Sequence, residues 1–299
     1  IRVIQVPHGS LENDGRSKVG IGMQRELTLS TRERCIPPGF FDEMFAFLDL
    51  EKSGGLPMHA SIDELYRVFH LYRLGDDFFG ASFCVSHADY RMLTSKPMAE
   101  LEVADVEHYV SQALTNWGNV GHFKHFLPRL MQLAADQYLS FERPNAIFSK
   151  LELARWQAWP ADERKAVSES LMYFWEKQLA SPGDFPIDER IESALHGLHQ
   201  ACGHLQPCLD HWLTIDDPRA TLHLAQVARY ICSDTEDEDN RRRMGAVADA
   251  TKEDVSRWLT TDSVTEYLHR YQVAVDRFFP HLIEQMRAHE QRQIDRSPA

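Results

Sequence analysis

Apolar residues recur at spacings of three and four through most of this chain, and that period limits the fold more than any other feature. Leu65, Phe69 and Tyr72 form one such set, and Val106, Tyr109, Val110, Ala113 and Leu114 form another. Val167, Leu171, Phe174 and Trp175 repeat the pattern, and Leu222, Ala225, Gln226 and Arg229 repeat it less purely. Residues so spaced share one face of an α-helix, because each turn takes 3.6 residues. Strand signals are confined to Arg2–Val6 and Phe78–Val85, both short and isolated. The expectation is an all-α fold of roughly ten helices in antiparallel hairpins. An irregular α-superhelical, HEAT-like stack is favoured, with a large bundle as the other arrangement. No strict repeat of about 30 to 50 residues marks a regular solenoid.

Helix starts are suggested by Ser61-Ile-Asp-Glu64, Thr251-Lys-Glu-Asp254 and Ser263-Val-Thr-Glu266, each a hydroxyl three residues ahead of a carboxylate. In a capping box the hydroxyl accepts from an unpaired amide of the first turn, and the acid sits near the positive end of the helix dipole. Asp217-Pro218 predicts another start, since proline lacks the amide that the first helical position leaves unpaired. Pro160 before Ala161-Asp162-Glu163 reads the same way.

Breaks fall at Gly54-Gly55-Leu56-Pro57, at residues 181–186, and at the acidic run Asp234–Asp239 leading into Arg241-Arg242-Arg243. These divide the chain into a partly irregular N-terminal segment, 1–60, and a helical domain, 61–299, with a subdivision point near 181–186. Residues 1–22 lack the apolar core of an export signal.

The 32 Lys plus Arg against 45 Asp plus Glu leave a net charge of -13, which disfavours binding to phosphate backbones and anionic lipid. A basic protein partner fits better than nucleic acid or a membrane. The short Arg241–Arg243 run does not outweigh that balance. Every apolar stretch is interrupted before the roughly 18 to 20 residues a membrane-spanning helix needs. Five scattered cysteines, an odd number in a large chain, read as free thiols in a reducing compartment, which points to the cytoplasm.

Thr115-Asn-Trp-Gly118 followed by His125-Phe-Leu-Pro-Arg-Leu130, with Lys150-Leu-Glu-Leu-Ala-Arg-Trp-Gln-Ala-Trp-Pro160, carries a resemblance. Leu209-Asp-His-Trp-Leu213 and His223-Leu-Ala225 extend it. Over roughly residues 60 to 230 the chain resembles a family of uncharacterised bacterial all-helical proteins. The resemblance implies an all-helical fold and no established activity. A cysteine pair is common in that pattern where this chain has Phe83-Cys84, so a thiol or metal role there is in doubt.

His196, His199, Cys202, His204, Cys208 and His211 place six metal-ligating residue types within sixteen positions. His196, His199 and Cys202 would share a helix face, making His196, His199 and His204 weak candidates for zinc. Ordinary core and surface histidines explain the cluster more simply, and no cofactor is expected. His125 and Arg129 edge an apolar face beside Phe126 and Leu127, and Trp156 and Trp159 stand three apart before Pro160. These four are the candidate binding residues, each with a core-packing alternative. Phosphate loops, nucleophile elbows and His-Glu-x-x-His are absent from the sequence, so nucleophilic catalysis has no anchor. The expected function is a non-catalytic helical protein-protein interaction protein, such as an acidic immunity or adaptor protein. The alternative is a metal-dependent hydrolase using the His196–His211 cluster.

Overall fold

The helices in this computed structural model follow the apolar period of the chain, and the structure describes residues 60–137, 145–181, 190–232 and 249–296. All of these fall in one unit, Leu48–Ala299. The elements are α1 (Ala60–Phe69), α2 (His87–Thr94), α3 (Val103–Gln112), α4 (Val120–Gln137), α5 (Asn145–Leu153), α6 (Ala161–Ala180) and α7 (Arg190–Cys202). They continue as α8 (Gln206–Trp212), α9 (Pro218–Cys232), α10 (Asp249–Leu259), α11 (Asp262–Arg270), α12 (Gln272–Phe278) and α13 (Leu282–Arg296). The fold is all-α. The 1–60 segment up to residue 59, the Arg2–Val6 strand, the break at residues 54–57, most of the 181–186 loop and the Asp234–Arg243 run lie outside the described residues.

The strand expected over Phe78–Val85 is not formed. Its only ladder contact is one isolated bridge, Gly80 with Trp117. The Cys84 and Val85 amides both turn back to the Ala81 carbonyl, at 2.8 and 2.9 Å, so the segment coils on itself and presents no extended edge.

Three hydroxyl caps are displaced from their expected positions. Ser61 lies inside α1, Thr251 inside α10, and Ser263 is the second residue of α11, whose cap position is Thr261. The Thr251 hydroxyl is buried without a hydrogen-bond partner. Where several hydroxyls and acids crowd one first turn, spacing alone does not select the cap. Asp217 does cap α9: its Oδ1 accepts from the Arg219 amide at 2.8 Å, with Pro218 at the first helical position. Unanticipated boxes form at Ser86 with Asp89, ahead of α2, and at Glu102 with Asp105, ahead of α3.

The most extensive contacts join helices that are not sequence neighbours: α5 with α7, α1 with α6 and α4, and α9 with α13. Consecutive pairs such as α6 and α7 touch less. Helix α9 is buried from Thr221 through Ala228, all the way round, and contacts α6, α7, α10, α11, α12 and α13. A helix enclosed on every side marks the centre of a core. Residues on either side of 182–189 share that core, since the Trp175 indole on α6 donates to the Cys208 carbonyl on α8 at 2.9 Å. At the α5–α7 contact the Phe148 ring lies so close to the α7 backbone that a Cβ on Gly197 would stand 2.5 Å from its Cδ2. Among the described residues no helix is long and apolar enough to cross a membrane.

Candidate interaction surface

The four candidate binding residues direct their polar atoms at the chain itself. His125 Nδ1 bonds the Tyr72 carbonyl at 2.9 Å, a contact that requires the proton on that nitrogen. Burial holds the His125 ring below its ordinary pKa, so its neutral form is favoured. Arg129 Nε donates to the Leu101 carbonyl at 2.6 Å and its Nη1 to Gln132 at 2.9 Å. The Trp156 indole donates to the Ala201 carbonyl at 2.7 Å, and that of Trp159 to the Ala154 carbonyl at 3.0 Å. Trp159 packs on Phe69, ring centres 5.9 Å apart, while Trp156 faces α7, so the pair does not form one surface.

The histidine candidates do not converge. Helix α7 ends at Cys202, and Gly203 at φ +78° turns the chain, leaving His204 exposed beyond the helix that carries His196 and His199. Carboxylates from other helices draw the rings apart, with Asp254 3.7 Å from His199 and Glu176 2.7 Å from His211. Burial pushes the thiols of Cys202 and Cys208 up to about 11 and about 12, away from the thiolate a metal needs. Among the described residues no group of three or more His, Cys, Asp or Glu could hold a metal ion.

A buried polar cluster that the sequence did not single out lies beneath α1. Lys124 Nζ donates to Glu163 at 2.5 Å and to the Tyr72 hydroxyl at 3.0 Å, and that hydroxyl donates to the other Glu163 oxygen at 2.6 Å. The ammonium also stands 4.2 Å from the Trp159 ring centre. Both carboxylate oxygens are engaged, which makes this a closed brace between α4, α6 and the start of the loop after α1 rather than a site open to substrate.

The outward-facing feature is the loop of residues 70–86 between α1 and α2. Phe78 is its inward plug, stacked on Trp117 at 5.6 Å and edge-on to Tyr90, Tyr109 and His122 at 5.7, 6.0 and 5.0 Å. The backbone is tied at two points, Ala81 N to Asn116 O at 2.8 Å and Gly118 N to Phe79 O at 3.1 Å. Gly80 is required there, because a Cβ would meet Val85 Cγ2 at 2.5 Å and the Asn116 carbonyl at 3.0 Å. Asp77 accepts from Asn119 Nδ2 at 3.2 Å and from His122 Nε2 at 3.3 Å. His122 is itself fixed at the start of α4, its Nδ1 accepting the Asn119 amide while Asn119 Oδ1 accepts the His122 amide.

From this anchored loop Phe79 and Phe83 project into solvent at 67% and 84% exposure, and Leu71 does so at 75%. Single exposed apolar side chains are ordinary, but three on one short, backbone-tied loop are the residue types and setting of a binding edge. The phenylalanines were missed because they fell in a run read as a strand. The signal was there in Phe78-Phe79 beside Gly80, where consecutive residues cannot both face the core. No protein-family model, curated protein or solved structure matches the chain.

Proposed function

We propose that the chain is a non-catalytic, cytoplasmic protein-interaction protein that engages its partner through the 70–86 loop. The single observation behind this reading is the pair of exposed phenylalanines, Phe79 and Phe83, on a loop whose backbone is tied to Asn116 and Gly118. A tied loop has little freedom left to lose on binding, so apolar area buried there contributes to affinity with little ordering cost. Asp76 and Asp77 beside Phe79, on a chain of net charge -13, favour a basic partner. An adaptor and an acidic immunity protein both fit this description. The free thiols Cys84, Cys202, Cys208 and Cys232 suit a reducing compartment.

The test is capture of partners from host extract on the immobilised full chain and on a Phe79→Ser, Phe83→Ser variant. Hot-spot aromatics contribute about 2 kcal/mol or more each, so the variant is expected to lose the partner while melting as the parent does. An unchanged set of partners on a folded variant overturns the reading.

A further inference from the structure

The turn of residues 113–119 is shaped to receive the 70–86 loop. Leu114 at φ +66° and Gly118 at φ +71° fold it back, and the Leu114 amide donates to the Trp117 carbonyl at 3.2 Å. A Cβ on Gly118 would stand 3.1 Å from His122 Nδ1, so glycine there lets the ring lie beneath the turn. The His122 side chain is 4% exposed, whereas that of Asp77, which it bonds, is 66% exposed. The direction of each bond follows from its donors. His122 Nδ1 accepts the Asn119 amide, so the ring proton sits on Nε2 and is offered to Asp77 Oδ1 at 3.3 Å. Asn119 Nδ2 donates to Asp77 Oδ2 at 3.2 Å, and Asn119 Oδ1 accepts the His122 amide at 3.1 Å. Among the described residues, no other side chain from Gly75 to Phe83 makes a hydrogen bond outside the loop.

We propose that Asp77 is a positioning residue: with Asn119 and His122 it latches the loop and so presets Phe79 and Phe83 for a partner. The inference rests on Phe79 and Phe83 being the binding edge. Asp77 stands two residues before Phe79, whose carbonyl accepts the Gly118 amide, and the Ala81 amide donates to Asn116 beyond it. With the latch open the loop keeps these backbone ties and the Phe78 plug but gains freedom around Asp77. Part of the ordering cost then moves to the binding step.

The test exchanges the two ends of the latch in the full chain. Asp77→Asn leaves one donor facing another whichever way the amide turns, and Asn119→Asp sets two carboxylates against each other. The double variant Asp77→Asn, Asn119→Asp restores a donor opposite an acceptor, while the new amide oxygen still accepts from His122. Hydrogen exchange at the Ala81 and Gly118 amides, read by NMR, is expected to quicken about tenfold in each single variant. The double variant should return to within about twofold of the parent. Exchange at Val227, in the buried stretch of α9, should not change, which separates opening of the latch from unfolding. Parental exchange in both single variants overturns the proposal. So does a double variant as fast as the singles, or equal quickening at Val227. Partner release should follow the same order as exchange. Partners kept by Phe79→Ser, Phe83→Ser overturn the binding edge, and the latch's role in binding with it; partners lost there, with parental exchange in the single variants, overturn the latch alone.

Discussion

Lys124 and Lys150 sit at 7% and 6% exposure in two neighbouring parts of one helical core, and their surroundings differ in kind. Around Lys124 a carboxylate, a phenol and an indole face converge from α6, the loop after α1 and the turn before α6, and both carboxylate oxygens are answered. Among the described residues the one hydrogen-bond partner of Lys150 is the Ser111 backbone carbonyl. The first arrangement braces three elements against one another. The second sets no carboxylate beside the ammonium among the described residues, and its burial favours loss of the proton. Burial alone therefore says little about a lysine's role; the partners brought to it decide.

The largest effect expected from breaking this contrast is at the brace. Lys124→Met strands the buried Glu163 carboxylate and should lower unfolding free energy by about 3 to 5 kcal/mol in urea denaturation. The double variant Lys124→Met, Glu163→Leu should lose less than the single one, because no charge is then left unpaired. A single variant that unfolds like the parent would remove the distinction between the two lysines.

Next in size is Gly197→Ala, which probes the contact that carries Lys150. The new methyl would stand 2.5 Å from Phe148 and 2.8 Å from Asn145 Oδ1, so a loss of about 1 to 3 kcal/mol is expected, read as a lowered Tm.

Lys150→Met should change stability by less than about 1 kcal/mol, since it keeps volume and removes only an uncompensated amine. Its pH dependence has a definite sign. The folded chain holds the Lys150 proton less tightly than the unfolded chain, whose value is near 10.5. The parent therefore gains stability as pH rises from the lowered folded value to that of the unfolded chain. Its difference from Lys150→Met should close over the same interval. A constant difference up to alkaline pH would show that Lys150 carries its proton as an ordinary lysine does.

The smallest effect is expected at the loop. Phe79→Ser and Phe83→Ser should each move stability by no more than about 0.5 kcal/mol, because the side chains are already in water. A larger loss in thermal denaturation would mean that these rings support the fold instead of facing a partner.

Much of the helical layout could be read from spacing. Val106, Tyr109 and Val110 on α3 and Val167, Leu171, Phe174 and Trp175 on α6 are buried as the period implies, and the starts at Pro160 and Asp217-Pro218 hold. Local rules failed where two local choices compete, as at Ser61, Thr251 and Ser263, each displaced from its expected cap. Of the site, the sequence view found side chains with chemical potential but not their direction. His125, Arg129, Trp156 and Trp159 are all committed to carbonyls of the chain, and no spacing rule reports a carbonyl delivered from another helix.

The amino-acid order by itself determined that this chain is helical, which faces of most helices are apolar, and that its net charge is strongly negative, because these depend on neighbours within a turn or on composition. Which buried lysine is neutralised was decided only by tertiary structure. Glu163 reaches Lys124 across 39 positions, and Ser111 reaches Lys150 across the same number. The separation is identical and the partner is not: one fold contact delivers a carboxylate and the other a carbonyl. Coulomb attraction and desolvation act on what is near in space, so that difference has no counterpart in the local sequence.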